Sequence, residues 1–384
     1  MSTLPDGRFV DDAPYDPSVD LSAAERSDMD APGWVLTWRR FRKHRLGLLS
    51  GIFLLLAYLM LPFAGFFAPY GANERNADHL FHPPQLIHWN HEGDFIGPFV
   101  YRTVAAPDLE NFQWDYEIDR SEPMPLRFFC EGTEYQLAGL IRSTTHLFCA
   151  PEGATIFLLG SDRLGRDVFS RILYGAQLSL TVGLIGITVS FVLGIFFGSI
   201  AGYFGGRTDW TIQRVIEILR SLPELPLWLA LSAAVPSNWG PVAVFFIISI
   251  ILGILDWPGL ARAVRSKFLS LREEEYVRAA EMMGARPGRV IRRHLLPNFM
   301  SHLIASATLS IPAMILGETA LSYLGLGLRA PAVSWGVMLA DAQSLAAIEI
   351  YPWTAIPMLP IILVVLAFNF LGDGLRDSLD PYKS

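Results

Sequence analysis

Residues Tyr276–Asn298 read YVRAAEMMGARPGRVIRRHLLPN, a polar and basic hairpin-like insert between two strongly apolar stretches. Ala279 and Ala280 are small, Gly284 tolerates a positive φ, and Pro297 precedes the next apolar run. The spacing predicts a short helix over Leu271–Met283, a tight turn at Gly284, a second short helix and a stop at Pro297. Small residues on one side of the first helix would let a partner's backbone come close. A solvated loop has no need of these residues at these intervals.

The flanking sequence decides the solvent. The chain has 384 residues, 52% hydrophobic and only 17% charged, and the apolar residues come in blocks. Six blocks approach the ~20 residues needed to cross ~30 Å of hydrocarbon. They are Leu46–Ala68, Leu178–Tyr203, Leu219–Ala234, Val242–Leu260, Leu303–Leu324 and Pro352–Leu371, the third interrupted by Pro223, Glu224 and Pro226. The expected fold class is an all-α polytopic membrane protein with six transmembrane helices and a small β-rich extracytoplasmic insert.

Charge sets the expected orientation. The net charge of −7 hides an acidic first 30 residues, an acidic insert at 71–158, and basic clusters at Arg39–Arg45 and Arg262–Arg293. Short basic segments stay in the cytoplasm. Both termini and the 261–298 loop are therefore expected inside, and 71–160 and 325–350 outside. Residues 1–30, rich in Asp and Pro, read as a disordered tail. Gly33–Arg45, with Trp34, Trp38, Phe41 and Arg45 three to four apart, reads as an amphipathic surface helix within 31–45, before a first span at 46–70.

The insert 71–158 carries enough aromatics (Trp89, Phe95, Phe99, Tyr101, Phe112, Trp114, Tyr116, Phe128, Phe129, Tyr135) to build a small core, with short strands at Pro98–Val104 and Tyr135–Ile141. It also holds both cysteines. In an oxidising compartment a Cys130–Cys149 disulfide would stabilise it by ~3 kcal/mol; two unpaired thiols in a folded loop are the alternative. The sequence has no GxxxxGK[ST] loop, HExxH or CxxC pair. No cofactor or metal is expected on this chain, no enzyme activity, and no nucleic-acid partner.

Ala279-Ala280-x3-Gly284 followed by Leu296-Pro297 resembles the coupling loop, or EAA motif, of ABC-importer membrane subunits. Tyr276-Val277 and Arg293-His294-Leu295-Leu296-Pro297-Asn298 resemble its dipeptide/oligopeptide/nickel branch. The resemblance implies a type I ABC importer permease fold and an ATPase-coupling surface built from Glu275, Tyr276, Arg278, Ala279, Ala280, Gly284, Ala285, His294, Leu296 and Pro297. The family's glutamate falls on Arg278 here, so its role is lost or passes to Glu275 or Glu281.

Leu159-Gly160-Ser161-Asp162-Arg163-Leu164-Gly165-Arg166-Asp167, with Ser170, Arg171 and Tyr174-Gly175-Ala176, resembles the branch's outer signature at the second span. Asp162, Arg163, Arg166, Asp167 and Arg171 can interlock as ion pairs at the headgroup level, a structural role favoured over substrate contact. Residues 159–384 form the expected permease core with five spans. The long insert is similar to that of Yej-type peptide permeases, and there it either docks a binding protein or caps the structure.

The resemblance implies import of oligopeptides, murein peptides or microcin C-like peptides across the bacterial inner membrane. Implied partners are a second, homologous permease, one or two ATPase subunits carrying ATP and Mg, a periplasmic substrate-binding protein, and membrane lipid. Nickel or another small solute is the nearest alternative cargo. Of a different class is an ion-coupled secondary transporter using Glu224 and Glu318, ionisable groups at membrane depth and candidates for the translocation path; a receptor or anchor using only the outer domain is a third. For Glu318, hydrogen bonding to Thr319 and Ser322 is the competing reading.

Overall fold

The structure, a computed structural model, describes residues 33–106, 115–151, 154–236, 238–343 and 345–379. The acidic tail at 1–30, Phe112, Trp114 and the Asp380-Pro381 end lie outside the described residues.

Among them, five helices are long and apolar enough to cross a bilayer: Arg45–Phe67, Val168–Phe204, Pro241–Leu271, Pro287–Tyr323 and Pro352–Leu379. Before the first lies α1 (Gly33–Lys43), whose Phe41 is buried while Trp38 stays exposed and stacks on it. His44 then caps α2 (Arg45–Met60) by accepting from the Gly47 amide at 3.0 Å. A 3₁₀ turn at Leu61–Phe63 and a short helical turn at Ala64–Phe67 complete the first span.

The bundle is assembled on α3 (Val168–Phe204) and α6 (Pro241–Leu271), and the stripe Gly194, Gly198 and Gly202 is what α6 packs on. A Cβ at Gly198 would lie 2.6 Å from the Ala261 carbonyl oxygen, so only glycine admits this approach. Gly186 faces Ser249, Gly194 faces Leu260 and Gly202 faces Phe268. Residue numbers rise together along the contact, so the two helices run parallel.

The connection between them departs from expectation. Leu219–Ala234 is not one helix: α4 (Gly206–Ser221) ends, Leu222 turns extended before Pro223, and α5 (Glu224–Ala233) restarts for ten residues. A residue preceding proline is pushed out of the α region, which accounts for the break. The two pieces run back along α6, with Ile216 packed by Trp257 and Ala261, and Trp228 near Leu252.

Two other boundaries shift. The fourth apolar block, Val242–Leu260, expected to close at Asp256-Trp257-Pro258, instead belongs to a longer helix, because α6 continues through the buried Pro258 to Leu271. A membrane helix tolerates an internal proline where neighbours re-satisfy its backbone. Pro297 does not stop a helix either. The chain runs from Pro287–Val290 through a π-helical turn at Ile291–Leu295 into α8 (Leu296–Tyr323), with Pro297 in its first turn. The missing proline N–H is absorbed where the hydrogen-bond register already changes. The last span is a 3₁₀ turn at Pro352–Ala355 and α10 (Met358–Leu379), packed on α8 and α2.

The insert forms two sheets. Strands β1 (His88–His91), β2 (Asp94–Ala105) and β3 (Tyr116–Pro125) make one antiparallel sheet, and β4 (Arg127–Leu137) pairs with β5 (Ile141–Cys149) in the other. Tyr135–Ile141 is therefore not a strand. It contains the turn between β4 and β5, where Ala138 and Gly139 both take positive φ. Phe99, Tyr116 and Tyr135 are core residues, but Trp89, Phe95, Phe128 and Phe129 are exposed. Cys130 and Cys149 form a disulfide joining β4 to β5, with Cα atoms 6.2 Å apart.

Candidate functional site

Two constellations occupy opposite ends of the bundle, with a buried carboxylate between them. The first is the hairpin after α6. Its helix, α7 (Glu275–Met282), begins later than the sequence predicts, because Arg272–Glu274 turn away from α6 before it. Val277 is buried among Phe268, Val264, Val290 and Leu295, and Ala280 is buried as well. Ala279 faces outward.

Gly284 then takes φ +80° while its amide donates to the Glu281 carbonyl, and the Ala285 amide donates to Ala280. This glycine-terminated helix end satisfies carbonyls that would otherwise be orphaned. The apex is bare: Met282 is 90% exposed and Met283 82%. Asn298 donates to the Tyr276 hydroxyl at 2.8 Å, and the Tyr276 and His294 rings lie 6.5 Å apart, fastening the first turn of α7 to the start of α8. Leu296 is half-buried and Pro297 exposed.

Arg278 is paired with Glu273, whose carboxyl the guanidinium holds below its ordinary value. Glu281 accepts from the Tyr203 hydroxyl at 2.7 Å. Glu275 sits in the first turn of α7, on an exposed surface, where a carboxylate suits the helix dipole.

At the other end Asp162, Arg166 and Arg171 interlock, joined by a residue that sequence reasoning missed, Asp341 at the end of α9 (Trp335–Asp341). Arg166 Nε donates to Asp162 Oδ2 at 2.7 Å, and its Nη2 donates to Asp341 Oδ2 at 2.7 Å. Arg171, only 2% exposed, reaches the same two carboxylates, Asp162 and, at 3.1 Å, Asp341. Arg163 adds a bond to Asp341 Oδ1 at 3.1 Å. Burial pushes the Asp341 carboxyl up, but Arg171 and Arg166 outweigh it and leave it below its usual range. The surplus of arginine in 162–171 was the one signal that a further acid had to arrive from elsewhere.

Asp167 does not join these pairs. Its Oδ2 caps α3, accepting from the Ser170 amide at 2.7 Å and hydroxyl at 2.6 Å, and burial pushes its carboxyl up to about 7. The loop geometry depends on Gly165, at φ +68°, where a Cβ would collide with the Asn76 carbonyl. Leu164 contributes its amide, which donates to Asp162 at 2.9 Å.

Glu318 is fully buried. Its Oε1 accepts from the Ser322 hydroxyl at 2.7 Å and the Ser334 hydroxyl at 2.8 Å. Ser322 Oγ accepts from the Leu328 amide at 3.0 Å, and Ser334 caps α9. The carboxylate thus ties the loop 324–334 and α9 to α8. Thr319, the other candidate partner, has no bond to it. Glu224 is exposed at the start of α5 near Arg220 and Leu255, and the bonds of Glu318 go to serines instead.

Residues 194–383 match the family of binding-protein-dependent transport system inner membrane components, and residues 34–84 match the N-terminal transmembrane domain of oligopeptide transport permease C. The chain is similar to the dipeptide transport system permease protein DppC of Alkalihalophilus pseudofirmus, at 44% identity over 58% of this chain and 71% of that one. It is similar to the oligopeptide transport system permease protein OppC of Haemophilus influenzae, at 40% identity over 60% of this chain and 72% of the relative. A solved structure of the MetNI methionine ABC transporter, in an inward-facing conformation, aligns over 54% of this chain and 96% of that chain, at 19% identity and a TM-score of 0.42.

Proposed function

This chain belongs to the binding-protein-dependent transport system inner membrane components, and we propose that within that family it is the permease subunit of an ATP-driven oligopeptide importer of the Yej type. One observation carries the reading: a hairpin seated on the buried Val277 and Ala280, whose apex at Met282 and Met283 is left exposed by all the described residues. Such an apex fits the groove of a separate ATPase. Its anchorage at Tyr276, Asn298 and the π-helical turn hands any displacement to α8. ATP and Mg reside on the partner ATPases, and this chain moves in response.

The parallel packing of α3 and α6 supports six crossings. A chain that finishes α3 must retrace the bilayer before α6 begins, and α4 with α5, broken at Pro223, is the segment that does so. Both termini are then cytoplasmic, the insert 71–158 is periplasmic, and the 162–171 cluster with Asp341 frames the external mouth. Peptide cargo is carried over from the relatives, and the long insert favours the Yej-type branch. The remaining partners are a homologous second permease and a periplasmic binding protein, with surrounding lipid.

The test is uptake of labelled oligopeptides into proteoliposomes holding this chain, its co-encoded permease, ATPases and binding protein. Uptake should require ATP and binding protein and persist when ion gradients are collapsed. Uptake driven by a proton or sodium gradient without ATP overturns the proposal in favour of a secondary transporter.

A further inference from the structure

The turn between β4 and β5 holds an unusual residue. Ala138 takes φ +53°, a left-handed conformation that costs an alanine free energy and persists only where the surroundings impose it. The hairpin turn itself requires it, with Gly139 also at positive φ and the Leu140 amide donating to the Leu137 carbonyl, and the turn so formed is fastened to the first span. The Ala138 amide donates to the Pro62 carbonyl at 3.1 Å, an acceptor exposed where the helix tightens into the 3₁₀ turn Leu61–Phe63. Tyr135 packs on Gly65, where a Cβ would come 2.3 Å from its ring, and the His146 ring bonds to the Ala68 carbonyl at 2.5 Å. Moving toward the turn, the hairpin therefore meets the span at Ala68, then Gly65, then Pro62. It descends along the helix toward the membrane interior.

Pro62 lies below the end of the span. At about 1.5 Å per residue it stands about 25 Å from Arg45, within the roughly 30 Å of hydrocarbon that starts near that arginine. The turn at this level is Leu137-Ala138-Gly139-Leu140-Ile141, which carries no charge. Leu140 is 86% exposed and Ile141 63%, whereas the next residue outward, Arg142, is charged and paired with Glu134 at 3.5 Å. An apolar tip below a charged collar is the pattern of a segment whose end sits in acyl chains and whose arginine reaches the headgroups. The Leu140 amide donates to the Leu137 carbonyl at 3.0 Å and that of Ala138 to Pro62, so these backbone donors meet the requirement of a water-free medium.

We propose that the β4–β5 turn of the insert is a membrane-inserted anchor, with Leu140 and Ile141 in contact with lipid acyl chains of the outer leaflet. This rests on Arg45–Phe67 being a membrane span. A single cysteine is introduced at Leu140, at Ile141, at Glu92 in the exposed β1–β2 turn, or at Leu55 in mid-span, and labelled with the environment-sensitive dye NBD; the native cysteines are held in their disulfide. The full-length chain is then placed in nanodiscs of phosphatidylethanolamine and phosphatidylglycerol, with or without lipids spin-labelled on the acyl chain. NBD at Leu140→Cys and Ile141→Cys should emit at the short wavelength seen for Leu55→Cys and be quenched several-fold more by the spin-labelled lipid than NBD at Glu92→Cys. Water-like, unquenched emission at 140 and 141 with quenching at 55 overturns the anchor and leaves the span intact. Short-wavelength emission without lipid quenching assigns the tip to a protein neighbour and also overturns it. Absence of quenching at Leu55→Cys as well would refute the span itself, and the anchor with it.

Discussion

Asp341 is the residue on which the arginine clasp turns. It accepts from Arg163, Arg166 and Arg171, two of them almost wholly buried. Removing one partner from a buried ion pair leaves an uncompensated charge at a cost of about 3–5 kcal/mol. Asp341→Ala is expected to lower the thermal midpoint strongly in nanodiscs, with Arg163→Ala, an exposed partner, close to neutral.

Asp167 predicts a pH dependence of its own. Its carboxyl, raised from an ordinary 3.8 to about 7, holds a proton in the folded chain that the unfolded chain has lost. The resulting stability is fully present below pH 4 and disappears as pH rises through 7. Asp167→Asn, which keeps an oxygen for Ser170, should flatten that decline, measured as thermal midpoint against pH from 4 to 8. At Glu318, replacement by Ala strips Ser322 and Ser334 of their acceptor, at about 1–3 kcal/mol for each stranded group. Glu318→Gln retains the acceptor oxygen and should lie much closer to the parent in the same assay.

Among the elements, the hairpin 275–298 and the α3–α6 pair carry the sharpest expectations. Gly284→Val forces a β-branched residue to φ +80° with open space around it, so the strain falls on the apex alone. Membrane insertion should survive while peptide uptake falls at least tenfold and ATP hydrolysis loses its dependence on binding protein. Gly198→Ala drives a Cβ into the Ala261 backbone and should destabilise by about 1–3 kcal/mol through overpacking. Gly288→Ala meets nothing and serves as the control.

These elements also show what could be read from the chain unaided. The glycines four apart in α3 are legible because small size at helical spacing has one dominant use, close approach, whereas the alanine pair in α7 is divided, Ala280 buried within the chain and Ala279 exposed. The boundaries at Pro223, Pro258 and Pro297 are not legible. Proline marks the loss of one hydrogen bond but not whether the helix breaks, as at 223, or runs on, as at 258 and 297. That choice belongs to neighbours such as Trp257 and the π-helical turn. Asp341 was hidden for a related reason: it lies about 170 residues from the arginines it serves, and only the fold brings them together.

Taken whole, the molecule is a bundle with a hairpin at one end and two sheets at the other, attached at different places. The β4–β5 sheet is bonded to the first span through Pro62 and Ala68. The β1–β3 sheet is fastened elsewhere: Tyr116 donates to the Leu80 carbonyl at 2.7 Å, Phe81 stacks on Tyr351 at 4.2 Å, and Trp353 donates to the Ser161 carbonyl beneath them at 3.0 Å. Between the sheets the chain has one residue, Leu126, separating β3 from β4. The β4–β5 sheet also touches α3, where Phe148 lies 6.1 Å from Phe169, so it spans the first two long helices while its neighbour is held on the Tyr351–Trp353 segment. One peptide unit at Leu126 is thus a joint between two separately moored plates, and a proline placed there would cost a hydrogen bond to the Pro98 carbonyl without touching either mooring.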